Sequence, residues 1–217
     1  MFELVDTFPE FKKHFQDNLD KSIEEKINIW KDKYISQYPE LKQMCINDYE
    51  ENNYNWKEIA HNMVFNRTAK DFSKMNKAYN NIIKVLDQIE NYIDKDLDIV
   101  IVIYCGLCNS AGRVDKYNNK RAVLFGIDKI AEVNWYGNEK LEGLVSHELS
   151  HVIHFELRGE DSLPDNYDKN KYYEGIWSLY EEGFAQYYQH ILLNKKMYSR
   201  GNEWVKKCQK KEKELKK

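Results

Sequence analysis

The chain contains few residues that cross-link a fold or interrupt its regular structure: 4 cysteines, 3 prolines and 9 glycines in 217 residues. Four cysteines do not make a dense disulfide framework, and a chain of this length needs none to hold a core. The formal net charge of −3 is too small to indicate nucleic acid as the main partner. We therefore expect a globular domain with no nucleic-acid partner.

Signals for a membrane are also missing from the sequence. Residues 1–6 lack both the basic start and the apolar run of a signal peptide. Nowhere do about 18 apolar residues follow one another, so the sequence predicts no membrane span. From these absences we expect a cytoplasmic protein.

The apolar pattern predicts helices around a small sheet. Apolar side chains recur at intervals of three or four over residues 9–37 and 79–93, which predicts amphipathic helices. The period changes at residues 99–104, a β-branched run typical of a strand buried on both faces, and residues 122–127 form a second apolar strand. The polar stretch 109–120 predicts a loop or an irregular edge strand. We therefore expect an α+β fold, mostly helical, with a small mixed β-sheet.

One short motif indicates a metal site: residues 147–151 read His-Glu-Leu-Ser-His. Residues four apart share one face of a helix, so His147 and His151 can bind one ion. Glu148 projects beside them, where it can accept a proton from a metal-bound water instead of binding the metal. Flanking apolar residues predict the required helix, with Asn138 as its N-cap. These apolar residues are Leu141, Leu144, Val145, Leu149, Val152 and Ile153.

A second motif follows on the next predicted helix, where residues 182–185 read Glu-Gly-Phe-Ala. Together the two motifs resemble the gluzincin metallopeptidases, in whose aminopeptidase branch an E-G-F-A segment carries the third zinc ligand. The chain is also similar to uncharacterised bacterial families described as predicted zinc-dependent proteases. The resemblance implies Zn²⁺ held by His147, His151 and Glu182, with Glu148 as the general base.

The resemblance also implies a division of the chain. It covers roughly residues 97–192, so residues 97–217 are expected to form a zincin-like catalytic region that ends in a basic C-terminal helix. Within it, the active-site helix precedes the Glu-bearing helix. Residues 1–96 are expected to form a helical region packed on the catalytic part. No G-x-M-x-N-like segment is present, so the specificity of an aminopeptidase is not implied.

Two adjacent carboxylates compete for the place of third ligand. Neighbouring residues on a helix point about 100° apart, so only one of Glu181 and Glu182 can face the metal. We expect Glu182, because it occupies the E-G-F-A position and precedes Gly183, whose missing side chain would let the two helices approach closely. Glu181 would then lie beside the cleft or in solvent. Some gluzincins orient a zinc histidine with an Asp four residues after the third ligand, and Gln186 occupies that position here.

Two functions fit this site. The first is a zinc-dependent peptidase that acts on a peptide or protein substrate. The alternative is a non-catalytic zinc-binding domain that recognises peptides or proteins. Glu148 favours the peptidase, since a purely structural site needs no base. The donor that would stabilise an oxyanion stays open among six residues: Tyr172, Tyr173, Tyr187, Tyr188, His154 and His190.

Three other features have a structural explanation. Cys105 and Cys108 form a C-x-x-C pair without the second pair that a zinc knuckle needs, which favours a structural or incidental role. Residues 158–166 are charged and rich in turn formers, which predicts a loop bordering the site. The last twelve residues include seven lysines, typical of a solvated helix end.

Overall fold

The computed structural model describes residues 2–66, 69–93, 97–159, 171–195 and 202–215. The segment 158–166, predicted to be a loop, lies mostly outside the described residues. In chain order the elements are β1 (Glu3–Asp6), α1 (Phe8–Gln16), α2 (Ile23–Ile29), α3 (Pro39–Glu50), α4 (Trp56–Ile59), α5 (Ala69–Ile89), β2 (Val100–Tyr104), β3 (Gly112–Tyr117), β4 (Lys120–Gly126), α6 (Ile127–Glu132), α7 (Asn138–Arg158), α8 (Lys171–Leu192) and α9 (Asn202–Leu215).

The chain divides into two compact units. One comprises residues 2–81 and 98–137 and contains the sheet. The other comprises residue 1 together with residues 82–97 and 138–217, and it contains α7, α8 and α9. Helix α5 runs through the boundary. The expected division of the chain between residues 96 and 97 stays a prediction.

The sheet has four strands in the order β1-β2-β4-β3. Strands β1, β2 and β4 are parallel, and β3 pairs with β4 in the antiparallel direction. Every residue of β2 is buried, as its β-branched run predicts. β3 is an edge strand within the stretch for which a loop or irregular edge strand was expected. The prediction of a mostly helical α+β fold with a small mixed sheet is thus confirmed.

The prediction of continuous helix over residues 9–37 is wrong in one respect: the region contains two α-helices, and a π-helical turn (Trp30–Tyr34) and a 3-10 turn (Ile35–Gln37) continue the second. Helix α1 ends at Gln16, and α2 begins after Ser22, whose hydroxyl accepts a hydrogen bond from the Glu25 N–H. The Glu25 carboxylate accepts in return from the Ser22 N–H, so the two residues form a capping box. Leu19 has the right helical spacing but is 52% exposed in the turn between the helices. The spacing of apolar residues alone did not show that a new helix begins after Ser22.

Three cysteines of the sheet-containing unit are buried and form no disulfide: Cys45, Cys105 and Cys108. The Trp30 indole N–H donates to the carbonyl of Cys105 at 3.0 Å, and the N–H of Cys108 donates to the Asp128 carboxylate at 2.8 Å. The C-x-x-C pair therefore lies in the core beyond the end of β2, where its backbone is hydrogen-bonded to neighbouring side chains.

Helix α7 has defined ends in the second unit. It begins at Asn138, the residue expected to cap it, and the six apolar residues expected to line it are all buried. It ends at Arg158, and Gly159 follows with a φ of +72°, a left-handed conformation that glycine adopts without strain. The Gly159 N–H donates to the carbonyls of Phe155 and Glu156, which closes the helix.

Helices α7 and α8 lie side by side in opposite directions. Near the start of α7, Glu142 forms an ion pair with Lys195, which follows the end of α8. At the other end of α7, Arg158 pairs with Glu181 from the first half of α8. This reversed order makes the pair antiparallel, so residues in the middle of the two helices face each other. No helix among the described residues is long and apolar enough to cross a membrane.

Candidate metal centre

The two histidines of the 147–151 motif lie together on α7. Their side chains are 13% and 12% exposed, and their Nε2 atoms are 3.2 Å apart. The rings meet edge to face with centroids 4.7 Å apart. This is the arrangement expected of imidazoles at i and i+4, with both Nε2 atoms directed to one point.

Glu182 of α8 completes the group. One of its carboxylate oxygens lies 3.4 Å from the Nε2 of His147, and the other lies 3.4 Å from the Nε2 of His151. The three candidate ligand atoms all lie within 4.8 Å of one another. Hydrogen bonding with His147 and His151 lowers the pKa of Glu182 well below its ordinary value. The Glu182 side chain is 58% exposed, so the group is reached from the surface on the α8 side.

This donor set fits a zinc ion. Two imidazole nitrogens and one carboxylate oxygen are ligands that Zn²⁺ accepts, and catalytic zinc sites typically have three protein ligands. In a dry interior two histidines and a carboxylate would be costly to bury, and here they satisfy one another across the helix pair. The group could therefore hold one divalent ion.

Glu148 lies next to the group on α7 and is half-buried. Burial raises the pKa of its carboxyl above the ordinary value, against the opposing effect of the two neighbouring histidines. A carboxylate with a raised pKa holds a proton more readily than a fully solvated one. This is a property that a general base needs.

One glutamine of α8 contacts His147, and a second glutamine contacts the first. The Gln186 carboxamide nitrogen lies 3.3 Å from the His147 Nδ1. Gln189 is fully buried, and its side-chain N–H donates to the Gln186 carboxamide oxygen at 2.9 Å. The position expected to orient a zinc histidine is therefore occupied by Gln186, which is in contact with Nδ1, whereas Glu182 lies at Nε2 of the same ring.

Glu181 has a different partner from its neighbour. Its carboxylate lies 3.4 Å from the Arg158 guanidinium, and its side chain is 18% exposed. Arg158 also covers the ring of Trp177, with its guanidinium carbon 4.2 Å from the ring centroid. Glu181 was expected beside the cleft or in solvent, and it instead forms an ion pair at the far end of α7, away from the histidine pair.

The role expected of Gly183 is wrong. A side chain at this position would meet nothing within 4 Å, and the residue is exposed. Close approach of α7 therefore does not explain a glycine here. The small residue that is fully buried on α8 is Ala185.

A further histidine follows the pair along α7. His154 is 2% exposed and stacks on Phe184, with ring centroids 4.1 Å apart. Its Nε2 lies 3.0 Å from the Tyr180 hydroxyl. Burial, and secondly the charge of Arg158, lowers the pKa of His154 to about 4, so the ring is neutral at neutral pH.

The structure separates the six residues considered as oxyanion donors. His154 is buried, whereas Tyr173 and Tyr187 are exposed; Tyr188 and His190 are half-buried. The side chain of Tyr172 lies outside the described residues. Tyr180 was not among the six, because its contact with His154 joins two helices and no spacing along the chain connects residues 26 positions apart.

The antiparallel helices bring together two histidines and one carboxylate that could hold a metal ion. In agreement, residues 140–217, a little over a third of the chain, match the family model of M61 glycyl aminopeptidase, a family of metallopeptidases. No curated protein and no solved structure matches the chain. The matched segment contains the three candidate ligands and Glu148.

Proposed function

We propose that the protein is a zinc-dependent peptidase in which His147, His151 and Glu182 bind the metal. The observation that carries this proposal is the convergence of the three ligand atoms from two helices within 4.8 Å, in a segment that matches a peptidase family. Two residues of one motif could lie close by helical spacing alone. The third comes from another helix and meets both histidines at equal distance.

The residues divide the chemistry between them. A zinc ion held by His147, His151 and Glu182 would supply Lewis acidity for the hydrolysis of a peptide bond. Glu148 accepts the proton of the attacking water on its carboxylate and then gives it to the leaving amine. Its raised pKa supports this role, because the proton must stay on Glu148 between the two steps.

Gln186 orients one of the ligands. To bind a metal through Nε2, His147 must carry its proton on Nδ1, and that N–H needs an acceptor. The carboxamide of Gln186 lies against Nδ1 through its nitrogen, while its oxygen accepts from Gln189; it offers an oxygen to Nδ1 when both carboxamides rotate by 180° together. A carboxamide fixes the ring without the negative charge that an aspartate would add.

The substrate proposed is a peptide or protein. The family model names an aminopeptidase, and the sequence lacks the segment that grips a substrate N-terminus. A panel of peptides with free and with acetylated N-termini distinguishes the two modes. Cleavage of both sets indicates an endopeptidase, whereas cleavage of the free set alone indicates an aminopeptidase.

The decisive experiment measures metal content and hydrolysis together. Purified protein should hold about one zinc per chain, lose peptide hydrolysis to a chelator and recover it with zinc. His147→Ala and His151→Ala should both lose the metal. Zinc retained in both variants would refute the site. Zinc bound without any hydrolysis across the panel would favour the alternative, a non-catalytic domain that recognises peptides.

A further inference from the structure

His154 and Tyr180 extend the row of facing residues beyond the metal group. At 100° per residue, His147, His151 and His154 fall within about 60° of one another around α7. Their partners follow in reverse order on α8: Glu182 faces the first two histidines, and Tyr180 faces the third. The Tyr180 hydroxyl is therefore placed about one helical turn along α7 from His151.

The burial of the two residues differs sharply. His154 is 2% exposed, while Tyr180 is 48% exposed. The His154 Nδ1 is buried and has no hydrogen-bond partner within the described part of the chain. His154 therefore adds almost nothing to the surface. Its Nε2 forms a hydrogen bond with the hydroxyl of Tyr180, whose side chain is exposed.

The unpaired Nδ1 of His154 determines which group donates in the hydrogen bond between His154 and Tyr180. A neutral imidazole has one N–H and one bare nitrogen. If Nδ1 carried the proton, a buried N–H would go unpaired, which native structures avoid more strictly than an unpaired acceptor. The proton therefore belongs on Nε2, which donates to the Tyr180 oxygen. The O–H of Tyr180 then points elsewhere, and accepting from His154 makes it a stronger donor.

We propose that Tyr180 donates a hydrogen bond to a carbonyl oxygen of a peptide bound at the metal centre, and that His154 is the positioning residue that holds the phenol for it. The inference rests on the proposed function, since it takes the ligand to be a peptide at that centre. It assigns a substrate contact to the side of the site beyond His151, on the surface of α8.

Two hydroxamates test this contact without requiring turnover. Acetohydroxamate binds a catalytic zinc but offers no peptide carbonyl, whereas an N-acetyl-dipeptide hydroxamate offers both. Calorimetry on zinc-loaded protein should show that Tyr180→Phe weakens the dipeptide compound about tenfold, the worth of one such hydrogen bond. Acetohydroxamate binding should not change. Tyr54→Phe, which removes another exposed phenol far along the chain, should change neither affinity.

The outcomes separate the two proposals. Equal binding of the dipeptide compound by parent and Tyr180→Phe would overturn the contact, and so would an equal loss for both hydroxamates. A parent that binds both compounds but hydrolyses no peptide would refute the peptidase and still decide the role of Tyr180. A parent that binds neither would refute the metal centre and the Tyr180 contact together.

A double-mutant cycle tests His154. His154→Phe keeps an aromatic ring against Phe184 and removes the unpaired Nδ1, so the fold should be retained, as urea unfolding would show. It should weaken the dipeptide hydroxamate several-fold in the parent and not at all in the Tyr180→Phe background. Additive losses in the two backgrounds would show that His154 does not act through Tyr180.

Discussion

The role of Gln186 can be tested by changing only the partner of His147. Gln186→Leu keeps a side chain of similar volume on α8 and removes the group that lies 3.3 Å from Nδ1. Loss of such an outer partner typically weakens metal binding 10- to 100-fold, or about 1.4 to 2.7 kcal/mol. The lost partner is a neutral amide, and a charged partner forms a hydrogen bond about twice as strong. We therefore expect Gln186→Leu to weaken zinc binding about 10-fold, at the lower end of this range. Gln186→Glu should have the opposite effect and bind zinc more tightly than the parent.

Competition with a chromophoric chelator gives the zinc affinity of each variant directly. Gln88→Leu, which changes an exposed glutamine of α5, serves as the matched control and should bind zinc as the parent does. Unfolding in urea checks that each variant is folded. The reasoning fails if Gln186→Leu binds zinc within a factor of two of the parent, because His147 would then be oriented by something else.

Three other changes have expected results. Glu182→Ala should lose zinc affinity, while Glu181→Ala, which frees Arg158 from its ion pair, should keep it; the reverse result by elemental analysis would exchange the two assignments. Glu148→Gln should keep zinc but lose peptide hydrolysis by several orders of magnitude, and unchanged turnover would exclude Glu148 as the base. The pKa of His154 is lowered to about 4, so the unfolded chain is protonated first and stability should fall as pH drops from about 6.5 to 4. The loss should reach at most about 3 kcal/mol. Urea unfolding at pH 7 and pH 5 measures this loss. The free energy of unfolding should fall less for His154→Phe than for the parent, and equal decreases would contradict the lowered pKa of His154.

The elements that could be predicted are those whose pattern is continuous and long. The β-branched run at 99–104 is a buried strand, and the apolar residues around 147–151 form a buried helix. Strand β1 was missed because it has four residues and is partly exposed, so it carries neither a run nor a clear alternation. Such a strand is defined by its pairing with β2, which lies almost a hundred residues away.

Helix ends were less predictable than helix interiors. The turn before Ser22 was overlooked because Leu19 has a spacing that fits a continuous stripe. The capping box that starts α2 is readable in the sequence as Ser22 followed by Glu25 three positions later. Where a cap and a stripe conflict, the cap satisfies backbone N–H groups that would otherwise be unpaired, and it determines where the helix begins.

In the candidate site, the sequence predicted contacts within one helix better than contacts between two helices. His147 and His151 share a face by helical spacing, which is local. The pairing of Arg158 with Glu181, and of His154 with Tyr180, depends on how α8 lies against α7, and no pattern within either helix contains that information. The argument from Gly183 failed for this reason, because a side chain at this position would meet nothing within 4 Å.

The polar row between α7 and α8 joins the fold to the proposed chemistry. A helix pair normally packs through apolar side chains, and polar groups between helices must be satisfied by partners or they destabilise the pair. Here the polar groups of α7 meet polar partners on α8: His147 meets Gln186, the two histidines share Glu182, His154 meets Tyr180, and Arg158 meets Glu181. The antiparallel arrangement in this register brings these pairs together. The same contacts between the helices therefore bring three candidate ligand atoms within 4.8 Å of one another.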